Sequence, residues 1–215
     1  MLLTKGQKFL MIGDSVTDFE RARPVGEGLF NALGTGYPMF FNASLQAAYP
    51  ELMIRTVNMG VSGNTVRDLK ARWQSDVMDL KPDWVSVLIG INDVWRQFDS
   101  PTMPETHVPL DEYKKTLAEL VQQTLPHVKG MVLMTPYYME PLRDDPMRRM
   151  MDQYGAAVRE ISQQYNTLFL DVQALFDGLF THMHSANVAW DRVHPNAIGH
   201  MLIARGLLKL LGFDR

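Results

Sequence analysis

The sequence predicts an α/β protein built on a parallel sheet, and three observations lead there. Short apolar runs alternate with helix-period segments along the 215 residues. Each run is short, continuous and rich in apolar residues, as in strands covered on both faces. Polar segments containing glycine directly follow the first three runs. In such folds ligands gather at those carboxyl ends.

The first run, 8–13, stops at Gly13 and gives way to Asp14-Ser15-Val16-Thr17-Asp18. The second, 54–59, leads into Gly60-Val61-Ser62-Gly63. A helix follows: Asn64 and Thr65 are capping residues, Asp68 lies three beyond Thr65, and Val66, Leu69 and Trp73 share a face. The third run, 84–89, leads into Gly90-Ile91-Asn92-Asp93. Residues 90–109 read as a long loop before a helix marked by Leu110, Tyr113, Leu117, Leu120 and Val121. The fourth run, 131–135, precedes a second long loop, 136–146. Met147, Met150, Met151, Tyr154, Val158 and Ile161 mark the next helix. The fifth run is 168–172, and a last helix spans about 197–211, with Pro195 before it and Gly212 after it. Long loops in compact domains are often functional, and they are also plain surface excursions.

Composition narrows the classes of function. A 46% hydrophobic and 21% charged chain of this length suits one domain, 1–215, with a sizeable core. The net charge is −3 with both signs mixed, so no nucleic-acid partner is expected. No apolar run has the length of a membrane span, so no membrane partner is expected. The N-terminus carries no export pattern, which points to the cytoplasm. With no cysteine there are no disulfides, thiolate metal sites or cysteine nucleophiles.

Ser15 is a candidate nucleophile, delivered by the first strand. A serine hydroxyl is weak at neutral pH and needs a base within hydrogen-bond reach. Five of the six histidines lie in undistinguished contexts. The His182 and His184 pair has nothing to complete a metal site. His194 differs, because Asp191 stands three residues before it in the connection to the last helix. That spacing can set the carboxylate beside Nδ1 and leave Nε2 to take a proton. Acyl transfer also needs donors for the oxyanion. The Gly63 amide, the Asn92 side chain and the Ser15 amide follow the three strands and could supply them. Taken singly, each of these segments is also an ordinary turn. Other sites are absent from the pattern. There is no Gly-x-Ser-x-Gly elbow and no Walker A sequence, and Gly26-Glu-Gly28 lacks the third glycine of a dinucleotide loop.

In combination, four blocks resemble the SGNH, or GDSL, hydrolase superfamily. They are Gly13-Asp14-Ser15 with Thr17-Asp18, Asn58-Met59-Gly60-Val61-Ser62-Gly63, Gly90-Ile91-Asn92-Asp93 and Asp191-Arg192-Val193-His194-Pro195, in the family's order. Phe19 departs from the glycine that many relatives carry after the Thr-Asp pair. The resemblance implies a three-layer, flavodoxin-like α/β/α sandwich with a five-stranded parallel sheet. It implies Ser15 as nucleophile, His194 as base, Asp191 as its orienter, and an oxyanion hole from Ser15, Gly63 and Asn92. Stretches at 33–37, 62–73, 92–97, 145–149 and 190–195 resemble the intracellular acetyl xylan esterases of this superfamily. That implies a short-chain ester of a xylo-oligosaccharide as substrate, no metal or organic cofactor, and self-association. Candidate substrate contacts are Asp14, Trp95, Tyr137, Tyr138 and Trp190, with ordinary packing as the competing role for the aromatics. Trp73 and Trp84 read as core, and Arg143, Arg148 and Arg149 as a solvated face. The competing functions are a thioesterase, lysophospholipase or arylesterase on the same fold, and a non-catalytic carbohydrate-binding domain.

Overall fold

The computed structural model describes residues 1–213. Strands β1 (Lys8–Gly13), β2 (Arg55–Asn58), β3 (Trp84–Leu88), β4 (Gly130–Met134) and β5 (Leu168–Leu170) form one parallel sheet in the order β2-β1-β3-β4-β5. The helices are α1 (Ser15–Asp18), α2 (Tyr37–Ala48), α3 (Val66–Trp73), α4 (Ile91–Asp99), α5 (Leu110–Thr124), α6 (Pro146–Tyr165), α7 (Val172–Leu179) and α8 (Ala197–Leu210).

Strands β1, β3 and β4 are largely apolar because successive side chains enter two different cores; β2, Arg55–Asn58, carries only Val57 as an apolar residue. Phe9 and Met11 pack with Tyr37 and Phe41 of α2, Phe176 of α7 and Ile203 of α8. Leu10 and Ile12 pack on the other face with Leu69 and Trp73 of α3, Leu117 of α5 and Val158 of α6. Trp73 and Trp84 are core residues, as expected, and Trp73 Nε1 donates to Thr124 Oγ1 at 2.9 Å. Helix α3 starts where its capping pattern predicts, with Asp68 accepting the Thr65 amide at 2.8 Å.

Three helices differ from the sequence expectation. Residues 90–109 are not simply a loop, because α4 begins directly after Gly90. The fifth apolar run divides: Asp171 stops β5 and caps α7, accepting from the Ala174 amide at 2.9 Å. Helix α2 carries Tyr37, Phe41 and Leu45 on one buried face. The strand order reverses between β1 and β3, since β1 leads outward to β2 and β3 leads the other way. Their C-terminal connections therefore diverge and leave a crevice at the sheet edge.

Candidate active site

The crevice collects residues from four segments. At Gly13 an added Cβ would lie 2.3 Å from the Leu88 carbonyl, so a side chain there would force β1 and β3 apart. The chain then turns at once. Asp14 accepts the Val16 amide at 3.0 Å and caps α1, which leaves Ser15 on the first turn facing the crevice. Ser15 Oγ lies 2.8 Å from His194 Nε2, and His194 Nδ1 lies 2.6 Å from Asp191 Oδ2. The other Asp191 oxygen accepts the amides of Val193 at 3.0 Å and His194 at 2.9 Å. Both oxygens are thus committed, and the carboxylate selects the tautomer with a proton on Nδ1. Burial pushes the Asp191 carboxyl up, but the His194 ring and these two amides outweigh it and hold it below the usual range.

The expected oxyanion donors lie on the same edge. Gly63 has φ 82°, a left-handed conformation that favours glycine, and a Cβ there would meet nothing within 4 Å. The amides of Ser15 and Gly63 have no acceptor among the described residues. Asn92 Nδ2 donates to the Asn64 carbonyl at 3.0 Å, and Asn92 Oδ1 accepts from Arg96 at 3.2 Å. Its amide is thereby oriented, and one N–H remains for a ligand.

Several residues that hold these donors were not singled out from the sequence. Asp18 Oδ2 accepts the Ser62 amide at 3.0 Å and the Ser62 hydroxyl at 2.9 Å, which ties the Gly63 loop to α1. Asn58 donates to the Thr17 carbonyl at 2.6 Å and accepts the Gly60 amide at 2.9 Å. At Gly60 a Cβ would lie 2.2 Å from the Asp18 nitrogen, so only glycine permits that approach. Arg72 donates to the carbonyls of Met59 at 2.7 Å and Gly13 at 3.0 Å, and to Asn64 Oδ1 at 2.7 Å. Asp18 and Asn58 lay inside the recognised blocks, and Arg72 lay on the α3 face beside the predicted core stripe.

Beneath the site sit two fully buried carboxyls. Burial pushes Asp14 up to about 7, against the Val16 amide and His194. Burial likewise pushes Asp93 up to about 7, against the Val66 amide at 3.0 Å and with help from Asp14. The second oxygen of each has no hydrogen-bond partner among the described residues. His200 is also buried: its Nδ1 accepts the Tyr37 amide at 3.1 Å, and burial lowers its pKa to about 3.

The remaining expectations divide. Asp14 caps a helix from a fully buried position and does not face a ligand. Tyr137 is also fully buried and donates to the Val193 carbonyl at 3.0 Å, so it supports the His194 loop from behind. Trp190 is 92% exposed beside Asp191 and His194. Trp95 is half-buried, with its ring centroid 5.9 Å from that of His194. Tyr138 is half-buried in a hollow shared with Trp95. Arg143 and Arg149 are exposed, but Arg148 is not on a solvated face. It is buried and pairs with Asp177 at 2.7 Å and Asp152 at 2.9 Å while donating to the Glu140 carbonyl at 2.7 Å. Glu140 in turn pairs with Arg192 at 2.8 Å, inside the Asp191–His194 turn. Phe19 takes the left-handed conformation, φ 34°, that a glycine would adopt freely. Its ring meets the His200 ring edge-on, with the centroids 4.1 Å apart.

The comparisons with known proteins agree with this geometry. An acetylxylan esterase of Geobacillus stearothermophilus is 58% identical over 214 residues, covering 100% of this chain and 98% of its own. The crystal structure of Axe2, an acetylxylan esterase from that organism, matches with a TM-score of 0.98 at 58% identity, over 100% of this chain and 98% of its own. Axe2 is also described as an acetyl-xylooligosaccharide esterase, and its S15A, D191A and H194A variants as catalytic mutants. LAE5, an alpha/beta hydrolase from the metagenome of Lake Arreo, matches with a TM-score of 0.98 at 53% identity, over 100% of both chains. The GDSL-like Lipase/Acylhydrolase family matches residues 11–202. This chain, a carboxylic ester hydrolase by fold and by relationship, belongs to that GDSL-like family.

Proposed function

We propose that the chain removes acetyl groups from xylo-oligosaccharides through an acetyl-enzyme. One observation carries this reading: the unbroken relay from Asp191 through His194 to Ser15, at 2.6 and 2.8 Å. Ser15 Oγ attacks the acetyl carbonyl while its proton passes to His194 Nε2. The negative charge on the carbonyl oxygen falls to the Ser15 and Gly63 amides and the Asn92 side chain. One such donor lowers a barrier by about 3–4 kcal/mol. The intermediate then collapses. The C–O bond to the sugar breaks, and the leaving oxygen takes the proton from His194. Water repeats the attack, with His194 again accepting a proton; the bond from the acyl carbon to Ser15 Oγ then breaks, His194 returns the proton to Oγ, and acetate is released. Asp191 stabilises the imidazolium at both stages and keeps its own charge, since its carboxyl lies below the usual range.

The choice of sugar ester rests on the full-length relationship to an acetylxylan esterase. Trp190 and Trp95 beside His194 support it, because both aromatic surfaces lie where the leaving alcohol must be. The same reading takes the chain as one domain acting in the cytoplasm as a self-associating assembly. No helix among the described residues is long and apolar enough to cross a membrane.

The test is acetate release from acetylated xylo-oligosaccharides by the parent and by Ser15→Ala. The parent turns over, and the variant falls by several orders of magnitude, with about 10⁶-fold as a guide from other serine hydrolases. A phosphonate probe labels the parent and not the variant. Retained activity in Ser15→Ala refutes the nucleophile. A preference for long acyl chains over acetyl, in a chain-length series, refutes the substrate class in favour of a lipid or thioester.

A further inference from the structure

Resting on that reading, we infer that the hollow formed by Trp95, Phe98, Tyr138 and Asp145 is a subsite for a second, non-reacting sugar ring. The substrate then crosses the catalytic histidine from one hollow to another and is read as a chain of at least two rings.

Stereochemistry places the alcohol part of the ester. The leaving oxygen must come within hydrogen-bond reach of His194 Nε2 to receive its proton. The acyl oxygen must point the other way, to Gly63 and Asn92. The sugar ring bearing the acetyl group therefore lies against the imidazole. Two hollows border that ring. One, of about 490 Å³, is lined by Trp190, Asp191, His194 and neighbours of the 186–189 segment. The other, of about 340 Å³, begins at Trp95, whose ring centroid stands 5.9 Å from that of His194. An acetylated ring in the first hollow directs its glycosidic neighbour past the imidazole and toward the second.

The second hollow has the composition a neutral sugar requires. Trp95, Phe98 and Tyr138 offer aromatic faces, and Phe98 is 37% exposed with no core role of its own. Asp145 stands on the lining as a hydroxyl acceptor, whereas the neighbouring Asp99 is already engaged by Arg96 and the Ser100 hydroxyl. Asp145 uses one oxygen to cap α6, accepting from the Arg148 amide at 2.9 Å, while the residue lines the hollow. A fatty acyl chain gains nothing from the Asp145 carboxylate, and an anionic ligand is repelled by it. The hollow is also preformed. Trp95 is wedged between the two apolar layers, with the Arg96 guanidinium 5.1 Å from its ring centroid. A ligand there pays little for ordering the platform.

The experiment compares kcat/KM for an acetylated methyl xyloside, an acetylated xylobiose and 4-nitrophenyl acetate, in the parent and in Phe98→Ala. The parent gains about fivefold from one ring to two, the worth of one aromatic contact. In Phe98→Ala that gain collapses to about one, through KM, with kcat on both sugars retained. Calorimetry of xylobiose with the Ser15→Ala protein gives the same answer without turnover: binding weakens about fivefold when Phe98→Ala is added. Hydrolysis of the one-ring ester with no gain from the second ring, or a gain that survives in Phe98→Ala, overturns the subsite and leaves the proposed function standing. Turnover of 4-nitrophenyl acetate with neither sugar hydrolysed overturns the proposed function, and the subsite with it.

Discussion

Replacing Asp93 by asparagine should stabilise the protein at alkaline pH and hardly at all at acid pH. Asp93 is fully buried on α4, with one oxygen accepting the Val66 amide at 3.0 Å and the other without a partner among the described residues. An unfolded chain loses this proton near 3.8, whereas burial keeps it on the folded protein until about 7. Between those values the folded state binds more protons than the unfolded state. Stability therefore falls as pH rises through the window and levels off above it. Each pH unit is worth about 1.36 kcal/mol, so the two units from pH 5 to pH 7 remove about 3 kcal/mol. Asparagine presents the same acceptor oxygen to Val66, replaces the buried carboxyl with an amide and does not titrate. Asp14, buried nearby, is present in both proteins, so its own titration largely cancels in the difference. Urea unfolding at pH 5 and pH 8 measures the effect. The stability of Asp93→Asn relative to the parent should rise by about 3 kcal/mol between the two. A difference that stays constant within about 1 kcal/mol would show that Asp93 is ionised throughout, with a partner the geometry does not reveal.

Two further substitutions probe the site and its support. Asp191→Asn keeps the turn but offers Nδ1 an amide, which removes the control of the tautomer, so kcat should fall about 10³- to 10⁴-fold with KM little changed; a loss under tenfold on an aryl acetate, with acylation limiting, would remove Asp191 from its role. Arg148→Met strips a buried guanidinium from Asp177 and Asp152, whose side chains remain 23% and 36% exposed. The cost should therefore fall below the 3–5 kcal/mol of a wholly buried pair, at about 2 kcal/mol, and lower Tm by about 4–8 °C in calorimetry. An unchanged Tm would mean that the network carries no net stability.

The strands and the Asp191–His194 contact were readable because each obeys a local rule. A strand buried on both faces is rich in apolar residues, and the sequence pattern delimits Lys8–Gly13 to the residue. The Asp191 and His194 pair is close in sequence, so spacing alone suggested contact. Helix α4 was hidden for a functional reason. Its buried face holds Asn92 and Asp93 beside Ile91 and Val94, and two polar groups turned inward erase the apolar stripe that reveals a helix. Helix α2 did carry a legible stripe in Tyr37, Phe41 and Leu45, but glycines and a proline at its start resemble a loop. Arg148 was misjudged because its neighbours Arg143 and Arg149 are solvated, and nothing local separates a buried arginine from an exposed one. Its partners Asp177 and Glu140 come from other segments, so only the tertiary fold discloses them. The full burial of Asp14 and Tyr137 is hidden from the sequence for a similar reason, since proximity in sequence to Ser15 or the 136–146 loop does not say which way a side chain points.

The turn from Asp191 to His194 has a mechanical consequence. Asp191 and His194 ride on one short loop, so their mutual geometry survives if the loop shifts as a body. Ser15, by contrast, belongs to a different part of the architecture. The Tyr137 hydroxyl on Val193, the Met139 amide on the Arg192 carbonyl at 2.8 Å and Glu140 on Arg192 clamp that loop to the segment after β4. Warming or mild denaturant that loosens the clamp should uncouple serine from imidazole first, silencing turnover while the His–Asp contact, and most of the sheet, are still intact.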